Sequence, residues 1–189
     1  MLLIIQQSRI QNLPEQNPKE TSTMRTKTYI AFDGDADLMS YRTIQGWSAD
    51  KNNPFTLNDA HDVNEARDNS MPESIINQLR ERMEVSKNVV LLISSDTNKN
   101  RKGILQWEIG YALRNNLPII LTFIGYSTDT ARSEALWKNT LLPKVPSTLR
   151  ESSSDKYCLI SPFMREKVVS AIQTYSVNNL PSKGYTWHW

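Results

Sequence analysis

The sequence predicts an α/β domain built on a parallel sheet, and three observations carry that prediction. Short runs of strand composition alternate with stretches of helical periodicity, five times over, along the 189 residues. The central runs, "NVVLLIS" at 88–94 and "NLPIILTFI" at 116–124, are apolar throughout, as strands covered on both faces are. Right-handed crossovers between such strands place helices on both faces and supply the cover.

The first strand is "KTYIAF", Lys27–Phe32, a β-branched and aromatic run that stops at "DGDAD". A helix over about 36–49 follows, with Leu38, Tyr41 and Ile44 on related turns, and "NNP" breaks it. "FTL", 55–57, reads as a short second strand ending in the acidic loop "NDAHDVNEARDNS". The next helix has a capping residue in Ser70, a glutamate at Glu73 and Pro72 in its first turn. Ile75, Ile76, Leu79 and Met83 keep its apolar face. The third strand, 88–94, gives way to the polar loop "SDTNKNRKG" and then a helix over about 103–115. After the fourth strand, 126–156 is less regular, with one helix near 130–140 and prolines at 143 and 146. "YCLIS", 157–161, is the fifth strand, and "PFMREKVVSAIQTY", 162–175, the last helix, with proline in its first turn.

The expected organisation is a flexible extension over 1–26, the α/β domain over 27–180, and an aromatic tail over 181–189. The tail carries Tyr185, Trp187 and Trp189, which either pack back on the domain or meet a partner. The opening apolar run is five residues long and lacks the basic flank and cleavage site of a signal peptide; Met24 is an alternative start. No run approaches the roughly 18 apolar residues of a spanning helix. Twenty-two basic against 20 acidic residues leave no electrostatic footprint for nucleic acid or an anionic membrane. A single cysteine, Cys158, excludes an internal disulfide framework and fits a reducing cytoplasm.

Ligands of parallel sheets sit at the carboxyl ends of the strands, which directs attention to four loops. The first holds Asp33, Asp35 and Asp37. Turn formation and helix capping account for such carboxylates, Asp37 being well placed for the helix dipole. A magnesium-dependent receiver site would also need an acidic end to the third strand and a lysine ending the fifth. Those strands end in Ser94–Ser95 and "SPF". Neither G-x-G-x-x-G nor a P-loop follows the first strand. The two histidines, His61 and His188, are too far apart and unsupported to argue for a metal or a triad.

"KGILQWEIGYAL", 102–113, raises a sharper question. At about 100° per residue, Leu105, Ile109, Ala112 and Leu113 form the sheet-facing stripe, with Glu108 at its edge and Trp107 pointing nearly the other way. Glu108 is either a structural carboxylate paired with Arg101 or Lys102, or an active-site acid. Phe32, Trp47 and Trp107 are candidates to stack on a ligand ring, or are core. Ser94 could bond a ribose or phosphate, or serve only as a turn former.

"TYIAFDGDAD", "PFTLNDAHD", "NVVLLISSDTNKNRKGILQWEIGYAL" and "NLPIILTFI" together resemble the TIR-like domains of Thoeris bacterial anti-phage systems, over about residues 27–124. The resemblance implies a flavodoxin-like, five-stranded sheet of order 2-1-3-4-5. It implies cleavage of the nicotinamide–ribose bond of NAD⁺, as substrate rather than permanently bound cofactor, and formation of a cyclic ADP-ribose isomer that activates an effector protein. A phage component is a candidate trigger, and a homo-oligomer is one candidate assembly, on which the sequence itself is silent. The glutamate of its W-E-I element falls on Glu108, the first-strand loop on Phe32, Asp33, Gly34 and Asp35, and the second-strand loop on Asp59. Relatives often carry a second tryptophan four residues before the glutamate, where this chain has Ile104.

The chemistry suits that assignment. Nicotinamide leaves readily because its ring is cationic in NAD⁺; what needs stabilising is positive charge developing on the ribose, a task for a preorganised carboxylate. Holding the ribose hydroxyls would also fix the geometry of attack. In a cyclisation the substrate supplies its own nucleophile, so no Ser/His or Cys/His pair is required. Two other readings compete: a non-enzymatic interaction or nucleotide-binding module of the same fold, and a deoxyribosyltransferase-like enzyme in which the carboxylate is itself the nucleophile.

Overall fold

The structure, a computed structural model, describes residues 25–52, 55–58, 73–95, 97, 103–126 and 133–188, without the side chains of Asp35 and Ser153. The expectations for 1–24, Asp59, His61, the Ser70 cap with Pro72, Arg101, Lys102 and Trp189 lie outside the described residues.

Six parallel strands form one sheet in the order β2-β1-β3-β4-β5-β6. They are β1 (Lys27–Ala31), β2 (Thr56–Asn58), β3 (Ser86–Ile93), β4 (Ile119–Phe123), β5 (Tyr157–Pro162) and β6 (Gly184–Trp187). The flavodoxin-like order 2-1-3-4-5 is thus present, and the aromatic segment near the C-terminus extends it by a sixth, edge strand. Pro162 closes β5 instead of opening the last helix, whose cap position is Met164. A proline is tolerated there because a strand's last residue can lack its ladder donor.

The helices are α1 (Gly34–Ser48), α2 (Glu73–Glu84), α3 (Gly103–Arg114), α4 (Glu134–Leu136), α5 (Ser147–Ser152) and α6 (Arg165–Thr174). Helix α4 runs on as a π turn over Trp137–Leu141. Because side chains alternate along a strand, the sheet builds two cores. Tyr29, Ala31, Val89, Leu91, Ile93, Ile119 and Leu121 face one way, against Leu79 and Met83 of α2, Leu105 and Ile109 of α3, and Leu149 of α5. Ile30, Phe32, Val90, Leu92, Ile120 and Leu159 face the other, against Tyr41 and Ile44 of α1 and Val168 and Ile172 of α6. Full burial of β3 and β4 explains why their sequence shows no alternation.

One crossover departs from expectation. From β1 to β2 the chain moves towards one edge with α1 on the second face. The next three crossovers move the other way with α2, α3 and α5 on the first face, so all four share one hand. From β5 to β6 the chain again moves outward, but α6 lies on the face of α1. That last crossover has the opposite hand, and against the strong right-handed preference of β-α-β units it is the left-handed one. Below the sheet the returning chain is tied by the Val177 N–H, which donates to the Lys87 C=O at 2.9 Å. Strand β6 then contacts both layers. Tyr185 and Trp187 pack their rings on Trp137 at centroid distances of 4.9 and 5.5 Å, and His188 beyond its end lies 3.2 Å from the Ser170 hydroxyl of α6.

Candidate active site

Glu108 lies halfway along α3 on the side that meets the sheet, between Leu105, Ile109 and Ala112. It is 2% exposed. The helical wheel puts it at the rim of the apolar stripe; the fold buries it because α3 packs against the sheet and α2 together. Its partner is across the layer. The Tyr29 hydroxyl donates to Glu108 Oε1 in a short hydrogen bond between two buried side chains.

Tyr29 is wholly buried in β1, in register with Asn58 of β2 and Val89 of β3. Burial first, and the Glu108 carboxylate beside it second, hold its phenol well above the ordinary tyrosine value; the charge of Arg82 on α2 acts in the opposite sense. The phenol therefore remains a hydrogen-bond donor at neutral pH. A hydroxyl that donates stabilises the ionised carboxylate against the desolvation of its site.

Of the other residues expected at the site, Phe32, Asp33, Gly34 and Ser94 follow the ends of β1 and β3, and Trp47 and Trp107 lie on α1 and α3. Phe32 is buried on the opposite face of the sheet from Glu108, its ring stacked on Tyr41 at 4.7 Å and 15°. Asp33 occupies the cap position of α1 and Asp37 lies one turn in, its N–H donating to the Asp33 C=O at 3.3 Å. Both carboxylates are buried at the positive end of the helix dipole. Gly34 opens the helix and Asp35 follows it. Ser94, half-buried, forms a turn with Thr97: its N–H donates to the Thr97 hydroxyl at 2.7 Å. Trp107 is half-buried on the flank of α3, stacked on Tyr111 at 5.3 Å, and so belongs to the packing of that helix. Trp47 packs on Phe163 at 5.2 Å. Among the described residues no group of three His, Cys, Asp or Glu side chains is arranged to hold a metal ion, and no helix is long and apolar enough to cross a membrane.

A family model described as Thoeris protein ThsB, TIR-like domain, matches residues 29–129, more than half of the chain. The chain belongs to that family. The match begins at Tyr29 and includes Glu108, so both partners of the buried pair lie within the ThsB TIR-like segment.

Tyr29 was not foreseen, although the sequence carries the signal for it. Alternation in "KTYIAF" puts Tyr29 on the face opposite Ile30 and Phe32. A tyrosine in a covered strand needs a partner for its hydroxyl, as does a carboxylate in an apolar stripe. Asn88 was likewise missed inside "NVVLLIS". It accepts from the Thr28 hydroxyl at 2.8 Å and donates to the C=O groups of Ile172 and Tyr175 at 3.0 and 2.7 Å. Through it, β1, β3 and the end of α6 are joined.

Proposed function

We propose that this ThsB TIR-like protein consumes NAD⁺, with Glu108 as its catalytic carboxylate. The observation that carries the reading is a carboxylate kept 2% exposed in the core-facing side of α3 and hydrogen-bonded to the Tyr29 phenol. Taking a carboxylate out of water costs several kcal/mol, roughly, before any partner repays it, whereas leucine would serve the core better at that position. A buried carboxyl group retained there is best explained by chemistry, since buried acids in such settings concentrate where chemistry occurs.

In this reading the bond between the nicotinamide nitrogen and ribose C1′ breaks with its electron pair going to the ring, which becomes neutral. The cation left at C1′ is stabilised by the Glu108 carboxylate. A nucleophile from the same molecule then closes a cyclic ADP-ribose isomer, or water completes hydrolysis; a hydroxyl nucleophile releases its proton as the new bond forms. The cyclic product is the signal that an effector protein reads, and a phage component starts the cycle. Asp33, Gly34, Asp35, Asp59 and Ser94 are the backbone and polar groups of the strand-end loops proposed to meet the substrate.

The non-enzymatic reading draws on a different observation: Phe32, Trp47 and Trp107, the aromatic candidates for stacking on substrate, are all engaged in internal ring pairs. One assay separates the two. Purified protein is incubated with NAD⁺, with and without extract of phage-infected cells, and the products are chromatographed. The enzyme releases nicotinamide, and Glu108→Gln lowers the rate on the order of 10²-fold or more while the fold is retained. A triggered sample that makes no nicotinamide, or a Glu108→Ala protein that makes it at the original rate, defeats the catalytic reading.

A further inference from the structure

We infer that Tyr29 is the positioning residue for Glu108, fixing the carboxylate's orientation from the centre of the sheet; the inference rests on the reading of Glu108 as the catalytic group. A glutamate has three side-chain torsions, and the Tyr29 phenol, held in the sheet, is a donor that selects among them. Tyr29 is anchored in β1, which is paired on both sides by β2 and β3, so its backbone is among the least mobile parts of the domain. Its ring is 0% exposed and its one polar atom points at Glu108 Oε1. A donor held rigidly on a strand and an acceptor held on a packed helix define one geometry, and about 1 Å of displacement at a reacting centre costs on the order of 10²-fold.

The bond has an electrostatic consequence as well. The groups whose charges reach Tyr29 are Glu108 from α3, Arg82 from α2 and Tyr41 from α1. Arg82 is half-buried with its Nη1 enclosed, and its C=O accepts from Ser86 Oγ at 2.8 Å, which fixes the end of α2 beside β3. Tyr29 donates a hydrogen bond to the carboxylate, so deleting its hydroxyl removes stabilisation of the ionised form. Tyr29→Phe isolates this effect because it keeps the ring and its packing.

The test is steady-state kinetics of wild type and Tyr29→Phe, in the triggered NAD⁺ assay, across pH and at a temperature where both are folded by circular dichroism. We expect kcat to fall about 10- to 100-fold with KM within about twofold, and the acid limb of kcat to move to higher pH. A tyrosine that only packed would lower the melting temperature and leave the pH profile and the kcat per folded molecule unchanged; that result overturns the inference while the catalytic reading stands. A wild type without turnover removes the catalytic reading and the inference with it. A second measurement needs no turnover. The Tyr29 hydroxyl proton should give a slowly exchanging, downfield NMR signal in the wild type that disappears in Glu108→Ala, and its absence from the wild type also overturns the inference.

Discussion

Replacing both members of the buried pair asks whether the carboxylate serves the fold or the reaction. In Glu108→Leu alone, the Tyr29 hydroxyl is left in the core without its acceptor, a loss of about 1–3 kcal/mol. In the double variant Tyr29→Phe/Glu108→Leu that orphan is removed. The lost hydrogen bond to a charged group is worth about 1.5–3 kcal/mol. Against it stand the several kcal/mol, roughly, of carboxylate desolvation no longer incurred and about 1.5–3 kcal/mol from burying leucine in a site that is 2% exposed. The double variant should therefore be as stable as the wild type or more stable by about 1–4 kcal/mol. For a chain of this length each kcal/mol moves Tm by about 2–4 °C. Urea titration with thermal unfolding gives the stability, and nicotinamide release gives the activity, which should be lost. A double variant destabilised by more than about 3 kcal/mol would show that the pair is a fold element and refute the argument that its cost is borne for chemistry.

Two further outcomes follow from buried groups. Asn88→Leu strands the Thr28 hydroxyl and two C=O groups at the end of α6, and should cost about 2–4 kcal/mol in urea unfolding; a loss below about 1 kcal/mol would mean the three bonds carry little. Burial pushes the Cys158 thiol up from its ordinary value of 9.0 to about 12. Its folded value is raised, so its contribution to stability is complete below about pH 9 and is lost as pH rises towards 12. Thiol reagents at pH 8 should accordingly label Cys158 only after denaturant is added, and rapid labelling of the folded protein would contradict its burial.

The strand order was legible because two physical signals agreed: continuous apolar runs for β3 and β4, and the i, i+3, i+4 spacing of α2 and α3. Element ends were less so. The strand expected at 116–124 occupies Ile119–Phe123, since the Leu117 N–H is taken by the Ala112 C=O at the end of α3. Helix α5 was not foreseen, because six residues are too few for a periodic pattern to stand out. Strand β6 was read as a tail because an edge strand of four half-buried residues has no run of apolar composition. At the site, Glu108 was legible as an anomaly on its helix, yet its depth was not. The wheel knows one helix, and the burial comes from three elements meeting. Phe32 and Trp107 were named for their chemistry, and what the sequence could not convey was that Tyr41 and Tyr111 already occupied them.

The parallel run of the sixth strand also decides where the chain emerges. An α/β domain ending in its final helix would let the chain go at the amino-terminal end of the sheet, below β1 and β3, the same end at which Lys27 enters it. Strand β6 instead carries the chain back up, parallel to β5, so that His188 lies at the carboxyl-end rim, level with the loops that follow β1, β3 and β4. A fluorophore joined after β6 would therefore stand beside the rim where the proposed substrate would enter, whereas Lys27 lies at the opposite end of the sheet.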